Sequence, residues 1–82
     1  MFNDMNNTSS HPAAEALAWR MQLPLTVDPV TRELYGHAVP VLDRSLASRQ
    51  LARAGHLVGT PAHDAAMAIL EARVERFSYP GR

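Results

Sequence analysis

The residues best equipped for chemistry gather around one short link. Arg49, Arg53, His56, Thr60 and His63 flank the segment Gly55–Thr60. The free N–H groups at the start of a helix can hold an anion such as phosphate. Arg49 and Arg53 stand four residues apart on one flank of the preceding segment, and His56 continues their stripe. These five are therefore the candidate anion or nucleic-acid contacts. The pattern is loose, however. GHLVGTP lacks the lysine and the spacing of a P-loop. The plainer reading is an ordinary helix–helix connection with solvated histidines, and it is the favoured one. A helix-turn-helix is also weighed over residues 46–70, on the small Leu51-Ala52 pair and Gly55 near the turn. The gap from Gly55 to Pro61 is longer than the usual three- or four-residue turn. Pro61, Asp64 and Glu71 suit a phosphate-lined groove poorly. Nucleic acid is thus a disfavoured partner.

Other chemistries find less support. His11, His37, His56 and His63 form no H-x-x-x-H pair, and no carboxylate completes a familiar ligand spacing, so no metal is expected. With no cysteine there is no thiol catalyst, no disulfide and no thiolate metal site. A G-x-S-x-G elbow is absent. Glu71 and Glu75 share a helix face, but a solvated acidic stripe is the simpler meaning. The expectation is a protein that is not an enzyme and needs no cofactor.

What must position these residues is a small chain. It has 82 residues, so it holds one domain at most. Hydrophobic residues make up 46%, and 13 of them, about a third, are alanine, which buries little area. Small single domains seldom net more than about 3–5 kcal/mol without disulfides, metals or oligomerisation. Oligomerisation is the remedy left open here. Every basic residue is arginine. Net charge is zero, with residues 1–42 at −2 and residues 43–82 at +2, far from the strongly basic footprint of a nucleic-acid binder. No apolar run reaches about 18 residues, so no membrane span is expected. The stretch 1–10, MFNDMNNTSS, lacks a basic n-region and reads as a disordered tail ahead of a single helical domain over 11–80. The expected location is the cytoplasm.

The pattern predicts a mainly α fold, with a small α+β fold as the variant. Three helices are expected, at about 12–22, 43–55 and 61–77. In the first, Ser10 is the candidate N-cap, Pro12 lies in the first turn, and Ala14, Leu17, Ala18 and Met21 follow helical spacing. Residues 25–41 form a short extended or hairpin segment. Asp28-Pro29-Val30-Thr31 is a turn signal that would join strands near 25–28 and 33–36. The rival is a short helix over 29–35, capped by Asp28 and stopped by Gly36. The second helix places Leu46, Ala47, Leu51 and Ala54 on one face, which Leu57 and Val58 would extend, and Gly55 is its natural stop.

The third predicted helix has Thr60 as N-cap and Pro61 at its first position. Its apolar residues, from Ala62 to Phe77, span about 200° of arc, twice the roughly 100° that a core-facing stripe needs. A helix so wide in apolar surface is expected to be covered from two sides. Its Met67, Ile69, Leu70, Arg73, Val74 and Phe77, with Trp19 on the first helix, are the candidate partner interface. Arg73 sits inside the apolar arc, where its stem could pack with its head in water. It could equally meet a partner's carboxylate or stack on Phe77. Trp, Tyr and Arg are enriched at interface hot spots.

The resulting expectation is a small non-enzymatic protein–protein interaction module: an adaptor, inhibitor or assembly factor that self-associates as a homodimer or binds a larger partner. Bacterial and phage proteins of this general character supply an analogy, no more. The alternatives are a small DNA-binding transcriptional regulator using an Arg-bearing helix, and an accessory subunit of an enzyme complex. No membrane partner is expected.

Overall fold

The computed structural model describes residues 10–36 and 39–78, with the side chains of Thr31, Tyr35, Phe77 and Ser78 left aside. The readings made for the first nine residues and for His37 lie outside these. The elements run α1 (Pro12–Arg20), β1 (Leu25–Val27), α2 (Pro29–Tyr35), β2 (Pro40–Leu42), α3 (Arg44–Arg53) and α4 (Pro61–Ser78). The fold is mainly helical, with one two-stranded antiparallel ribbon.

Each helix starts where local chemistry lets it. Asp43 caps α3 by accepting the Leu46 N–H at 3.1 Å. Thr60 caps α4 by accepting the His63 N–H at 3.2 Å, while its own hydroxyl donates to the Leu57 carbonyl at 2.6 Å. In α1 the cap is His11 rather than Ser10. A residue before proline is pushed out of the helical region, so His11 stays outside the helix and Pro12 takes the first helical position. The helix ends at Arg20, two residues short of the expected boundary, with Met21 extended. The carbonyl of Ala18 that a continuing helix would offer to Gln22 is held by Arg73 instead. Replacing Asp43 by Ala is expected to cost about 1 kcal/mol through the lost cap, read as a lower urea midpoint at unchanged slope.

The segment after α1 resolves both rival readings. The helix over 29–35 forms: Asp28 accepts the Val30 N–H at 3.0 Å, and Gly36 closes it with φ +74°. The ribbon also forms, but β1 pairs with residues 40–42 and not with 33–36, in the register Leu25↔Leu42, Thr26↔Val41, Val27↔Pro40. The Asp43 N–H continues the ladder to the Pro24 carbonyl at 2.7 Å. Thus α2 is the content of the hairpin's connection. It makes no extensive contact with any other element.

The C-terminus of α3 explains a second departure. The His56 N–H bonds the Leu51 carbonyl and the Gly55 N–H bonds the Ala52 carbonyl, both at 2.9 Å, with Gly55 at φ +97°. This is a Schellman closure, in which glycine adopts the left-handed conformation at no steric cost. It turns the chain away from the helix axis. Leu57 and Val58 therefore do not extend the apolar face of α3; both are exposed.

The core lies along α4. Ala14 and Ala18 of α1, Leu42 of β2, Ala47 and Leu51 of α3, and Ala66, Met67, Leu70 and Val74 of α4 are its buried members. Four of these nine bury only a methyl group beyond Cα, since Ala14, Ala18, Ala47 and Ala66 are alanines. They let the helices approach closely but contribute little area each. Helix α4 packs most extensively on α1 and also meets α3 and β2. Its wide apolar arc is covered from two sides, and the cover comes from this same chain.

Candidate functional site

The residues expected at a partner interface divide sharply. Met67, Leu70 and Val74 are buried in the chain's own core, and Ile69 is half-buried against it. They are not free interface surface, because α1, β2 and α3 already occupy the faces of α4 on which they lie. Arg73 is also committed internally. Its Nη1 donates to the carbonyls of Ala18, at 2.5 Å, and Met21, at 2.9 Å. Neither a water-facing head nor a partner carboxylate describes it; it closes the C-terminal end of α1. The side chain of Phe77 lies outside those described. Of this group, Trp19 alone remains strongly exposed, at 57%.

The anion or nucleic-acid candidates separate as well. Arg49 and Arg53 are exposed on α3, and His56 is half-buried in the link. Thr60 is used as a cap, and His63 is buried. Two of the five candidates are thus taken up by structure, and the start of α4 keeps few N–H groups for an anion. Pro61 has no amide hydrogen, and the amides of His63 and Asp64 bond to Thr60. Among the described residues, no three His, Asp or Glu side chains gather as metal ligands would.

His63 forms an arrangement that spacing along the chain did not reveal. Its Nε2 lies 3.0 Å from the Ser48 hydroxyl, and its Nδ1 lies 3.6 Å from a carboxylate oxygen of Asp64. The order serine, histidine, aspartate resembles a hydrolytic relay, but the geometry favours a structural tie between α3 and α4. The Asp64 separation is too long for a hydrogen bond, and buried Nδ1 has no hydrogen-bond partner. Nor does the open groove between β2 and α4 border Ser48 or His63. A helical stripe held the clue: His63 precedes Ala66, Met67 and Leu70 at i+3, i+4 and i+7, which marks it as core-facing. Ser48→Ala alone would strand Nε2 in the interior at a cost of roughly 1–3 kcal/mol. Ser48→Ala with His63→Leu removes both polar partners, and it should be more stable than Ser48→Ala in urea unfolding. If the single variant is the more stable one, the tie has been misread.

No family model matches the chain, and neither a curated protein nor a solved structure is significantly similar to it. The functional reading therefore rests on the surface itself.

Besides Trp19, three features of the described residues stand out on that surface. The open groove, of about 580 Å³, is lined by Val41, Leu42, Ala68, Ala72, Val74 and the acidic Glu71 and Glu75. Glu71 forms an ion pair with Arg44. Both partners are well exposed, so this pair contributes little stability. It joins α3 to the acidic side of α4 through Arg44. The second feature is α2, where Val30 is 62% and Leu34 is 72% exposed. These residues are four apart and share one helix face. Val27, at the end of β1, is exposed just before them. The third is the exposed pair Leu57 and Val58 in the α3–α4 link. Among the described residues, no helix is long and apolar enough to cross a membrane.

Proposed function

We propose that the chain is a small non-enzymatic protein–protein interaction module that docks through the apolar face of α2. The observation that carries this reading is the exposure of Val30 and Leu34 on one face of a helix that packs against no other element extensively. Fully burying a Val or Leu side chain is worth about 1.5–3 kcal/mol, and the core is closed without these two. Anchors at i and i+4 on an amphipathic helix are the usual means by which a helix enters a partner's groove. The docking helix is thus α2 rather than α4, whose apolar arc is used at home. An adaptor, an inhibitor, an assembly factor and an accessory subunit of an enzyme complex would all use such a surface. A DNA-binding regulator has weaker support, since Thr60 and His63 are committed to capping and packing.

The test places a photo-reactive benzophenone side chain at Leu34 in the full chain, inside the producing cells. A control carries it at Arg32, on the opposite side of α2. Irradiation is expected to give a discrete covalent protein adduct from position 34 and none from position 32. Equal yields from the two positions, or none from 34, would overturn the reading.

A further inference from the structure

We infer that the partner of α2 is a second copy of the chain, and that α2 of each protomer seats on the Leu57–Val58 link of the other. This rests on docking through α2, as proposed for the chain's function, and adds the identity of the occupant. Among the described residues, besides Trp19 and Val27, two apolar pairs are exposed, Val30 with Leu34 and Leu57 with Val58. The charges beside them are opposite. At 100° per residue, Glu33 flanks Val30 and Leu34, while Arg32 points to the other side of the helix. Glu33 is exposed. In the turns of α3 that precede Leu57 and Val58 along the chain, Arg49 and Arg53 are exposed. Among the described residues, Glu71 is taken up by Arg44, whereas Glu33, Arg49 and Arg53 form no ion pair with another described residue.

The same complementarity appears in the whole chain. Residues 1–42 carry net −2 and residues 43–82 carry net +2, so an N-terminal half meeting the C-terminal half of another copy brings opposite charges together. Within one chain the two pairs do not meet, since both stay exposed.

Interface size favours reciprocity. A stable interface buries about 800 Å² on each partner. A seven-residue helix with two apolar anchors falls short of that alone. Two such contacts related by a two-fold axis double the area. They also close the assembly, whereas a one-way contact between unlike patches would propagate into rings or filaments.

Sedimentation of the full chain from micromolar to near-millimolar concentration tests this. The wild type is expected to form a dimer and nothing larger. Leu34→Asp and Val58→Asp lie at highly exposed positions, so each variant should keep the wild-type circular dichroism while sedimenting as a monomer, and should melt as the wild type does only at concentrations too low for the dimer. Mixed together, one supplies an intact link and the other an intact α2. The mixture should then dimerise through a single contact, at least about tenfold more weakly than the wild type. Arg53→Glu and Glu33→Arg should each weaken the dimer, and the chain carrying both should regain most of the loss.

A monomer at every concentration overturns the inference, as does a dimer indifferent to Leu34→Asp or Val58→Asp, or growth beyond the dimer. If the chain is monomeric while the cross-linker at position 34 captures a different protein, the second copy is excluded and the interaction module stands. If no cross-link forms at all, both fail.

Discussion

Leu70→Ala is expected to lower the stability of the fold by about 2–5 kcal/mol. Leu70 is fully buried and, with Leu51, is one of the two largest side chains sealed from solvent among the described residues. Truncation removes its burial and leaves a cavity that the surroundings close only in part. Two features of this core make relaxation hard. Its neighbours include Ala14, Ala18, Ala47 and Ala66, which have no longer side chain to swing into the space. The backbones of α1 and α3, which carry the first three, already pack on α4. For a chain of 82 residues, total stability on the usual scale is about 4–12 kcal/mol, so the loss is a large fraction of the whole. Urea unfolding followed by circular dichroism should show a lower midpoint with the slope unchanged. Leu34→Ala is the matched control. It is the same chemical change on a helix, at a position 72% exposed, and in a chain dilute enough to be monomeric it should stay within about 0.5 kcal/mol of wild type. Similar losses at the two positions would mean that α2, not the alanine-lined seam, holds the fold together.

The contrast between these two leucines shows where the sequence could be read and where it could not. Short-range chemistry was legible. Thr60-Pro61 marks the start of α4 and Gly55 the end of α3, because caps and left-handed stops act within a few residues. The helical period of α4 marked its buried stripe for the same reason, since residues three and four apart share a face whatever lies opposite. Asp28-Pro29 was ambiguous on physical grounds. Aspartate before proline starts both a type I turn and a helix, and the pair alone does not choose between them. The choice of Pro40–Leu42 as the partner of β1 was settled by pairing across the intervening helix, which no local signal reports. The breadth of the apolar arc did signal a need for two covers. Its occupants were not legible, because α1 lies more than forty residues away in sequence from the face that it covers. Likewise, Leu57 and Val58 continue the apolar spacing of α3 on paper, but the Gly55 closure takes them off its face.

Arg73→Ala is the second large expectation, and it concerns the joint between the first and last helices. One guanidinium nitrogen bridges the carbonyls of Ala18 and Met21, at the end where the dipole of α1 is negative. Those carbonyls have no helical N–H to accept, and the site is partly buried. A hydrogen bond from a charged donor contributes about 1.5–3 kcal/mol, and the two share a donor, so the pair should cost about 2–4 kcal/mol when removed. Arg73→Met keeps most of the stem and drops the charge. It should recover the packing part of the loss and leave the hydrogen-bonding part. Arg73→Lys keeps a cation that can serve the same carbonyls and should lie between Met and wild type. The effect should also be local. With the clamp gone, the last turn of α1 loses its closure before α3 and α4 lose theirs. Amide exchange should therefore quicken first from Leu17 to Met21, with Leu51 and Leu70 still protected. Because the acceptors are backbone carbonyls, added salt should leave most of the difference between wild type and Arg73→Met intact, unlike a surface ion pair. A loss below about 0.5 kcal/mol for Arg73→Ala, or equal acceleration of exchange across all the helices, would show that the alanine seam alone aligns α1 on α4.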